Sequence, residues 1–210
     1  MAVHVFFANL IPCVDAQKDI RYIYPYKQEE FKNTLGKKRR SEIFSSNILI
    51  RQAFKTVYGK DFRLYLGEYG KPLVRDAKVH ISISHSGDYV MVAVADCNVG
   101  CDIQKVEKGK DYERLAKRFL SEKESTDVHN SDEKPLLFSK YWTYRESYCK
   151  MNGDGLARLN HRIVINEDAV LLDGKKVKAV FSSGTHEEYI YTVCTEKETE
   201  VEINWSEIDR

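Results

Sequence analysis

Apolar positions along this chain fall into short alternating runs and two long stretches of helical spacing. Residues 3–10 form a nearly continuous apolar run closed by Pro12, which predicts a buried strand. Residues 15–32 are charged and tyrosine-rich and read as helical pieces interrupted by Pro25. A clear helix is predicted over 41–58, with Ile43, Ile50, Phe54 and Val57 on one stripe and Gly59 as its stop. Strand patterns follow at 62–66, 79–84, 89–95 and 99–104, with His85-Ser86-Gly87-Asp88 as a turn. Short helices are predicted over 111–119 and 122–128, then a polar loop over 130–134. A second long helix starts at Pro135, where proline's missing N–H costs nothing, and runs to about Asn152 before Gly153. The remainder alternates as strands over 162–165, 169–172, 177–182 and 189–195.

The order of a helix followed by strands occurs twice. Residues 43–59 laid over 137–153 without a gap align Phe44 with Phe138, Ser45 with Ser139, Arg51 with Arg145 and Gly59 with Gly153. Downstream, Ser86-Gly87 and Ser183-Gly184 each separate two strand-like runs. The expected fold is α+β, with two pseudo-symmetric halves over 1–98 and 99–210. Each half is a helix packed on a small, mainly antiparallel sheet, and the active site is expected in the cleft between them.

Composition narrows the function classes. The 210 residues hold 33 Lys+Arg and 32 Asp+Glu, a net charge of +1, which disfavours a general polyanion binder. The run Lys37-Lys38-Arg39-Arg40 lacks interleaved aromatics and reads as solvated surface, so no nucleic acid is expected. With 11 Gly and 4 Pro, long linkers are not expected. No window reaches the ~18 apolar residues of a membrane span, and the start lacks a signal-peptide pattern. A cytoplasmic protein with no membrane association is expected. The cysteines 13, 97, 101, 149 and 194 read as reduced, mostly core thiols; Cys97 and Cys101 lack the second pair that zinc would need.

Three segments carry candidate chemistry. Ile83-Ser84-His85-Ser86-Gly87 ends a strand with hydroxyls, an imidazole and open amides, which suits phosphate oxygens; an ordinary hairpin with a surface histidine has the same pattern. Val99-Gly100-Cys101-Asp102-Ile103-Gln104 puts Asp102 and Gln104 on one strand face, either as half of a hard-cation site or as a turn-capping end. In Trp142-Thr143-Tyr144-Arg145-Glu146-Ser147-Tyr148-Cys149-Lys150, Glu146 and Lys150 are one turn apart. They are either a solvent-facing ion pair or, given the aromatic flanks, a half-buried Glu that needs a cation or a proton.

Taken in order with Tyr69-Gly70-Lys71-Pro72, these segments closely resemble the surfactin-synthetase-activating type of 4'-phosphopantetheinyl transferases. That family shows Gly-Lys-Pro, a strand ending in Ser-His-Ser, Val/Ile-Gly-x-Asp, and Trp-x-x-Lys/Arg-Glu-Ser-x-x-Lys. The match covers residues 69–155 well and the rest loosely. The resemblance implies transfer of the phosphopantetheine arm of coenzyme A to a serine of an apo acyl or peptidyl carrier protein, with release of 3',5'-ADP. It implies Mg²⁺, or Mn²⁺, held by Asp102 and Glu146, with Gln104 where many members carry a second acid. Glu146 becomes the base, and Lys150 stabilises charge on the transferring phosphate. Ser84 and His85 become phosphate contacts of coenzyme A, and Lys71 a contact to its nucleotide phosphates. Lys27, Lys32 and Arg40 are candidates for the adenosine 3'-phosphate. Arg145 does electrostatic work or pairs locally, and apolar residues near Phe119 and Leu120 dock the carrier. A monomer suffices. The alternative, motivated by Gln104, is a degenerate member that binds coenzyme A or carrier without efficient turnover.

Overall fold

The computed structural model describes residues 2–155, 162–166 and 169–208. The chain divides into two compact units, Met1–Cys97 with Glu200–Arg210, and Asn98–Thr199. The first unit holds β1 (Ala2–Asn9), α1 (Ala16–Asp19), α2 (Gln28–Asn33), α3 (Lys37–Tyr58) and β2 (Leu64–Leu66). It continues with β3 (Pro72–Val74), β4 (His80–Ser86) and β5 (Tyr89–Ala95). The second holds β6 (Val99–Lys105), α4 (Tyr112–Phe119), α5 (Glu122–Asn130), α6 (Lys134–Asn152) and β7 (Ile163–Asn166). It continues with β8 (Ala169–Leu172), β9 (Lys175–Val177), β10 (Val180–His186) and β11 (Tyr189–Thr195). The last strand, β12 (Glu200–Trp205), pairs in parallel with β1. The expected second half, 99–210, therefore gives up its final stretch to the first unit.

Both units use the same connectivity. The main sheet of the first runs β12-β1-β5-β4, and that of the second runs β10-β11-β6. Apart from the β1–β12 pair, the ladders are antiparallel. In each, a strand leads through short helices to a long helix, a small separate sheet and a hairpin whose second strand is central. The long helices end alike, at Gly59 and Gly153, each in the left-handed region with its N–H closing on a carbonyl of the last turn. The helix alignment read from sequence is therefore also a structural one. The downstream one is not: Ser183-Gly184 lies inside β10, and the turn matching Gly87-Asp88 is Glu187-Glu188.

α3 starts at Lys37, so the basic run is its first turn rather than its approach. The helix is buried on more than one stripe because it is wrapped. Leu49, Ile50, Ala53 and Phe54 pack with Phe6 and Val92 of the sheet, whereas Ile43, Phe44 and Ile48 pack with Ile23 and Phe31. Small polar residues stitch the wrapping segment on. Ser45 Oγ accepts from Ile11 N at 2.9 Å, and Asn47 Oδ1 accepts from Tyr24 N at 2.9 Å. Each bond satisfies a backbone donor that would otherwise be buried alone.

In the second unit α6 lies against β6 and β11. A methyl group at Gly100 of β6 would overlap the carbonyl oxygen of Ser147 and the amide nitrogen of Met151. The strand and the helix thus meet backbone to backbone, which only glycine allows. Three cysteines, Cys101, Cys149 and Cys194, are buried thiols. No described helix is long and apolar enough to cross a membrane.

Gly100→Ala is expected to destabilise the protein by at least ~1–3 kcal/mol, the usual cost of overpacking, because the obstacle is helix backbone. A urea midpoint that falls while the slope is unchanged would show this; an unaltered midpoint would contradict it.

Candidate active site

Most of the predicted site residues converge on β6 and α6. Gly100, Asp102 and Gln104 alternate onto one face of β6, and Gly100 shows that this face meets α6. Glu146 and Lys150 follow each other by one turn on α6. Lys150 Nζ donates to Asp102 Oδ1 at 2.7 Å. Asp102 is only 4% exposed, and Thr192 stands opposite it on β11 with its hydroxyl 2.8 Å from that of Thr143. The pair is therefore not a surface ion pair of the solvated kind.

Glu146 is the electrostatically stressed member. Burial raises its carboxyl above the ordinary value of 4.5; the charge of Lys150 opposes this rise and that of Asp102 adds to it. Burial also works against the Lys150 ammonium, but Asp102 and then Glu146 outweigh it and hold the group protonated. Gln104 is half-buried, and its Nε2 donates to the Lys105 carbonyl at 3.0 Å.

Arg145 points elsewhere. Its guanidinium pairs with Glu124, and both side chains are fully buried. Glu124 also accepts from Ser121 N at 2.7 Å and from Ile165 N at 2.8 Å. It closes a capping box at the start of α5 and ties β7 to that helix. Of the two roles expected for Arg145, the structure shows the local pair. Sequence reasoning missed Glu124, although Ser121 and Glu124 carry the capping-box spacing that marks it.

The remaining candidates lie in the first unit. Ser84 is buried in β4, and His85 follows it within the strand rather than in the turn. His85 Nε2 lies 2.8 Å from Arg39 Nη1 and Nδ1 lies 3.6 Å from Glu42 Oε2. Arginine only donates, so Nε2 is the acceptor. His85 lines a cleft of about 180 Å³ with Lys27, Arg39, Glu42, Gly70 and Pro72. Lys71 stands between the last two and is half-buried. Glu30 holds both Lys27 and Arg39. Lys32 is exposed, and Arg40 turns to the Thr34 carbonyl. Of the three candidates for a 3'-phosphate, only Lys27 lines this cleft. Arg39, read earlier as part of a solvated run, is its other cation.

Of the two residues that mark the expected docking segment, Leu120 is not at the surface. Leu120 is buried with Tyr112, Ala116, Val128 and Phe138, because α4 and α5 pack on α6 through it. Phe119 is half-buried, with its ring edge-on to Trp142 at 5.5 Å.

Among the described residues no three His, Cys, Asp or Glu side chains gather into one metal-binding group. The pair Asp102 and Glu146, with the Gln104 amide, is an all-oxygen donor set, which suits a hard divalent cation better than zinc. The raised pKa of Glu146 fits such an ion, since positive charge there would compensate the burial of its carboxylate and, secondarily, the repulsion from Asp102.

The model of the 4'-phosphopantetheinyl transferase superfamily matches residues 98–200, which takes in the whole second unit. The chain is 32% identical over 147 residues to the 4'-phosphopantetheinyl transferase Sfp of Bacillus subtilis (strain 168), covering 67% of this chain and 65% of that protein. The match thus spans just under two thirds of that relative's length. A further 4'-phosphopantetheinyl transferase of Bacillus subtilis is 29% identical over 180 residues, covering 80% of each. The 4'-phosphopantetheinyl transferase psf-1 of Bacillus pumilus is 29% identical over 168 residues, covering 73% of this chain and 70% of that protein.

Two neighbouring substitutions on α6 should separate. Arg145→Met leaves Glu124 buried without its cation and is expected to cost ~3–5 kcal/mol in a urea titration. Glu146→Gln should do the opposite in metal-free buffer. A carboxyl whose folded pKa is raised contributes stability below its unfolded pKa and loses it as pH rises through the folded pKa. The Gln variant should therefore melt higher than wild type at pH 8, and this gain should vanish near pH 4. Equal melting temperatures at pH 8 would count against a stressed Glu146.

Proposed function

The chain belongs to the 4'-phosphopantetheinyl transferase superfamily, and on that premise we propose that it is an enzyme that moves the 4'-phosphopantetheine arm of coenzyme A onto a serine of an apo acyl or peptidyl carrier protein. The other product is 3',5'-ADP. The enzyme acts in the cytoplasm as a monomer. The observation that carries this reading is the convergence of Asp102, Glu146 and Lys150 where β6 meets α6.

The chemistry is an in-line displacement at the phosphorus that bears the pantetheine arm. The serine oxygen forms a P–O bond, the bridging oxygen of the pyrophosphate leaves with the nucleotide, and the serine proton must be removed. Glu146 is suited to take that proton, because burial and Asp102 raise its basicity above that of an ordinary glutamate. Lys150 stays charged and places its ammonium against phosphoryl oxygens, while Asp102 orients it. Asp102 and Glu146 would hold Mg²⁺, or Mn²⁺, with the Gln104 oxygen or a water completing the set; the ion supplies neutralisation of the pyrophosphate charge. Ser84 and His85 hold coenzyme A phosphates, and Lys71 and Arg39 serve the nucleotide end. Arg39 and Lys27 are kept by acids, Glu30 and Glu42, which a polyanionic ligand would displace.

Incubation with coenzyme A, Mg²⁺ and an apo carrier should add the mass of the arm to the carrier. Asp102→Ala and Glu146→Ala should each lower the rate by about a hundredfold or more. Full activity in both variants would refute the site, and tight coenzyme A binding without transfer would favour the degenerate alternative. Gln104→Glu should keep activity and shift the Mg²⁺ and Mn²⁺ dependence; an unchanged metal profile would remove position 104 from the ligand set.

A further inference from the structure

A second pocket of the first unit has no part in the proposed reaction. Tyr24, Arg51, Asp61, Phe62, Arg63 and Arg75 line about 430 Å³, and it shares no lining residue with the His85 cleft. Its one carboxylate is already engaged. Asp61 accepts from the Tyr24 hydroxyl, from the Arg51 guanidinium and, at 2.9 Å, from the Phe62 amide. Arg51 also lies over the Tyr24 ring, 4.0 Å from its centroid, and donates to the Tyr22 carbonyl at 3.3 Å.

Arg63 and Arg75 are different. Leu64 pairs with Val74 in the β2–β3 ribbon, and Arg75 N donates to Arg63 O at 2.9 Å, so the two arginines stand directly opposite each other. Neither is in an ion pair among the described residues. Arg75 only lies over the Tyr65 ring, 5.2 Å from its centroid. Like charges directly opposite on a two-stranded ribbon are unfavourable. The arrangement becomes favourable once an oxyanion sits between the two forks, and a doubly charged phosphate matches both their charge and their planar donors. Tyr24 and Phe62 add an aromatic wall.

We propose that this pocket is a binding site for a phosphate monoester, with the phosphate held between Arg63 and Arg75 and its organic part against Tyr24 and Phe62. The arginine pair favours a phosphate monoester over a carboxylate, since its two negative charges match two guanidinium groups whereas a carboxylate carries one.

The test follows the Nε–H resonances of Arg63 and Arg75 in the full chain, assigned with the single Gln variants. Inorganic phosphate, phenyl phosphate and phosphatidic acid vesicles are titrated at constant ionic strength, with chloride as control. Saturating shifts at both arginines are expected, and Arg63→Gln with Arg75→Gln should weaken binding by about tenfold or more while leaving the folded amide spectrum intact. Tighter binding of phenyl phosphate than of inorganic phosphate would assign a soluble ester; a response to vesicles alone would assign a lipid headgroup. Shifts that fail to saturate, or that chloride reproduces, would overturn the site. The double variant should still modify a carrier at the wild-type rate, so loss of this site and loss of the proposed activity are read separately.

Discussion

The approach of α6 to β6 is the constraint on which the second unit depends. Gly100 lets the helix backbone rest directly on the strand. At that distance the helix has little freedom to roll, and each α6 residue is committed to one direction. Successive helical residues are about 100° apart, so neighbours in sequence face different surroundings. Lys150 is delivered to Asp102, whereas Arg145 is turned into the interior and meets Glu124. The buried pair then acts as a second pin, because Glu124 is bonded to the start of its own helix and to β7. Rotating α6 would break both contacts at once.

That rigidity sets the electrostatics. Glu146 is held where burial makes its charge unwelcome; Lys150 outweighs the repulsion from Asp102 but not the burial. A carboxylate in this state gains from a nearby positive charge and is a better proton acceptor than an exposed one. The first unit shows the complementary arrangement. Arg39, Lys27 and His85 gather around a cleft and are held by Glu30 and Glu42. The near-neutral composition is thus an average over an acidic pair in one unit and a restrained basic cluster in the other.

The two units also show how far an internal repeat can be read from residues. The helix alignment was legible because both helices end on glycine caps. The hairpin alignment slipped by three residues. Ser183-Gly184 looks like a turn, but the turn belongs to Glu187, which adopts φ 51°, close to the 57° of Gly87. A non-glycine residue in that conformation leaves no compositional mark. β12 escaped for a different reason. Glu200-Val201-Glu202-Ile203-Asn204-Trp205 alternates polar and apolar, so the strand itself was legible and was overlooked; its parallel partner, β1, nearly two hundred residues earlier in the chain, was not legible.

The local signals carried the helices and their stops and the strand order around Ser84 and Asp102. Those features depend on spacing within a few residues, which the chain records directly. Which side chains meet was decided by tertiary structure. Arg145 and Glu146 are adjacent and similarly polar, yet one is buried in a pair with Glu124 and the other stands near Asp102 and Lys150, because the roll of α6 is set by Gly100 and Glu124. Leu120 looked available and is core. Arg39 looked like solvated surface and faces a cleft. Burial and pairing are properties of what packs against a residue, and packing partners distant in sequence leave no trace in its local pattern.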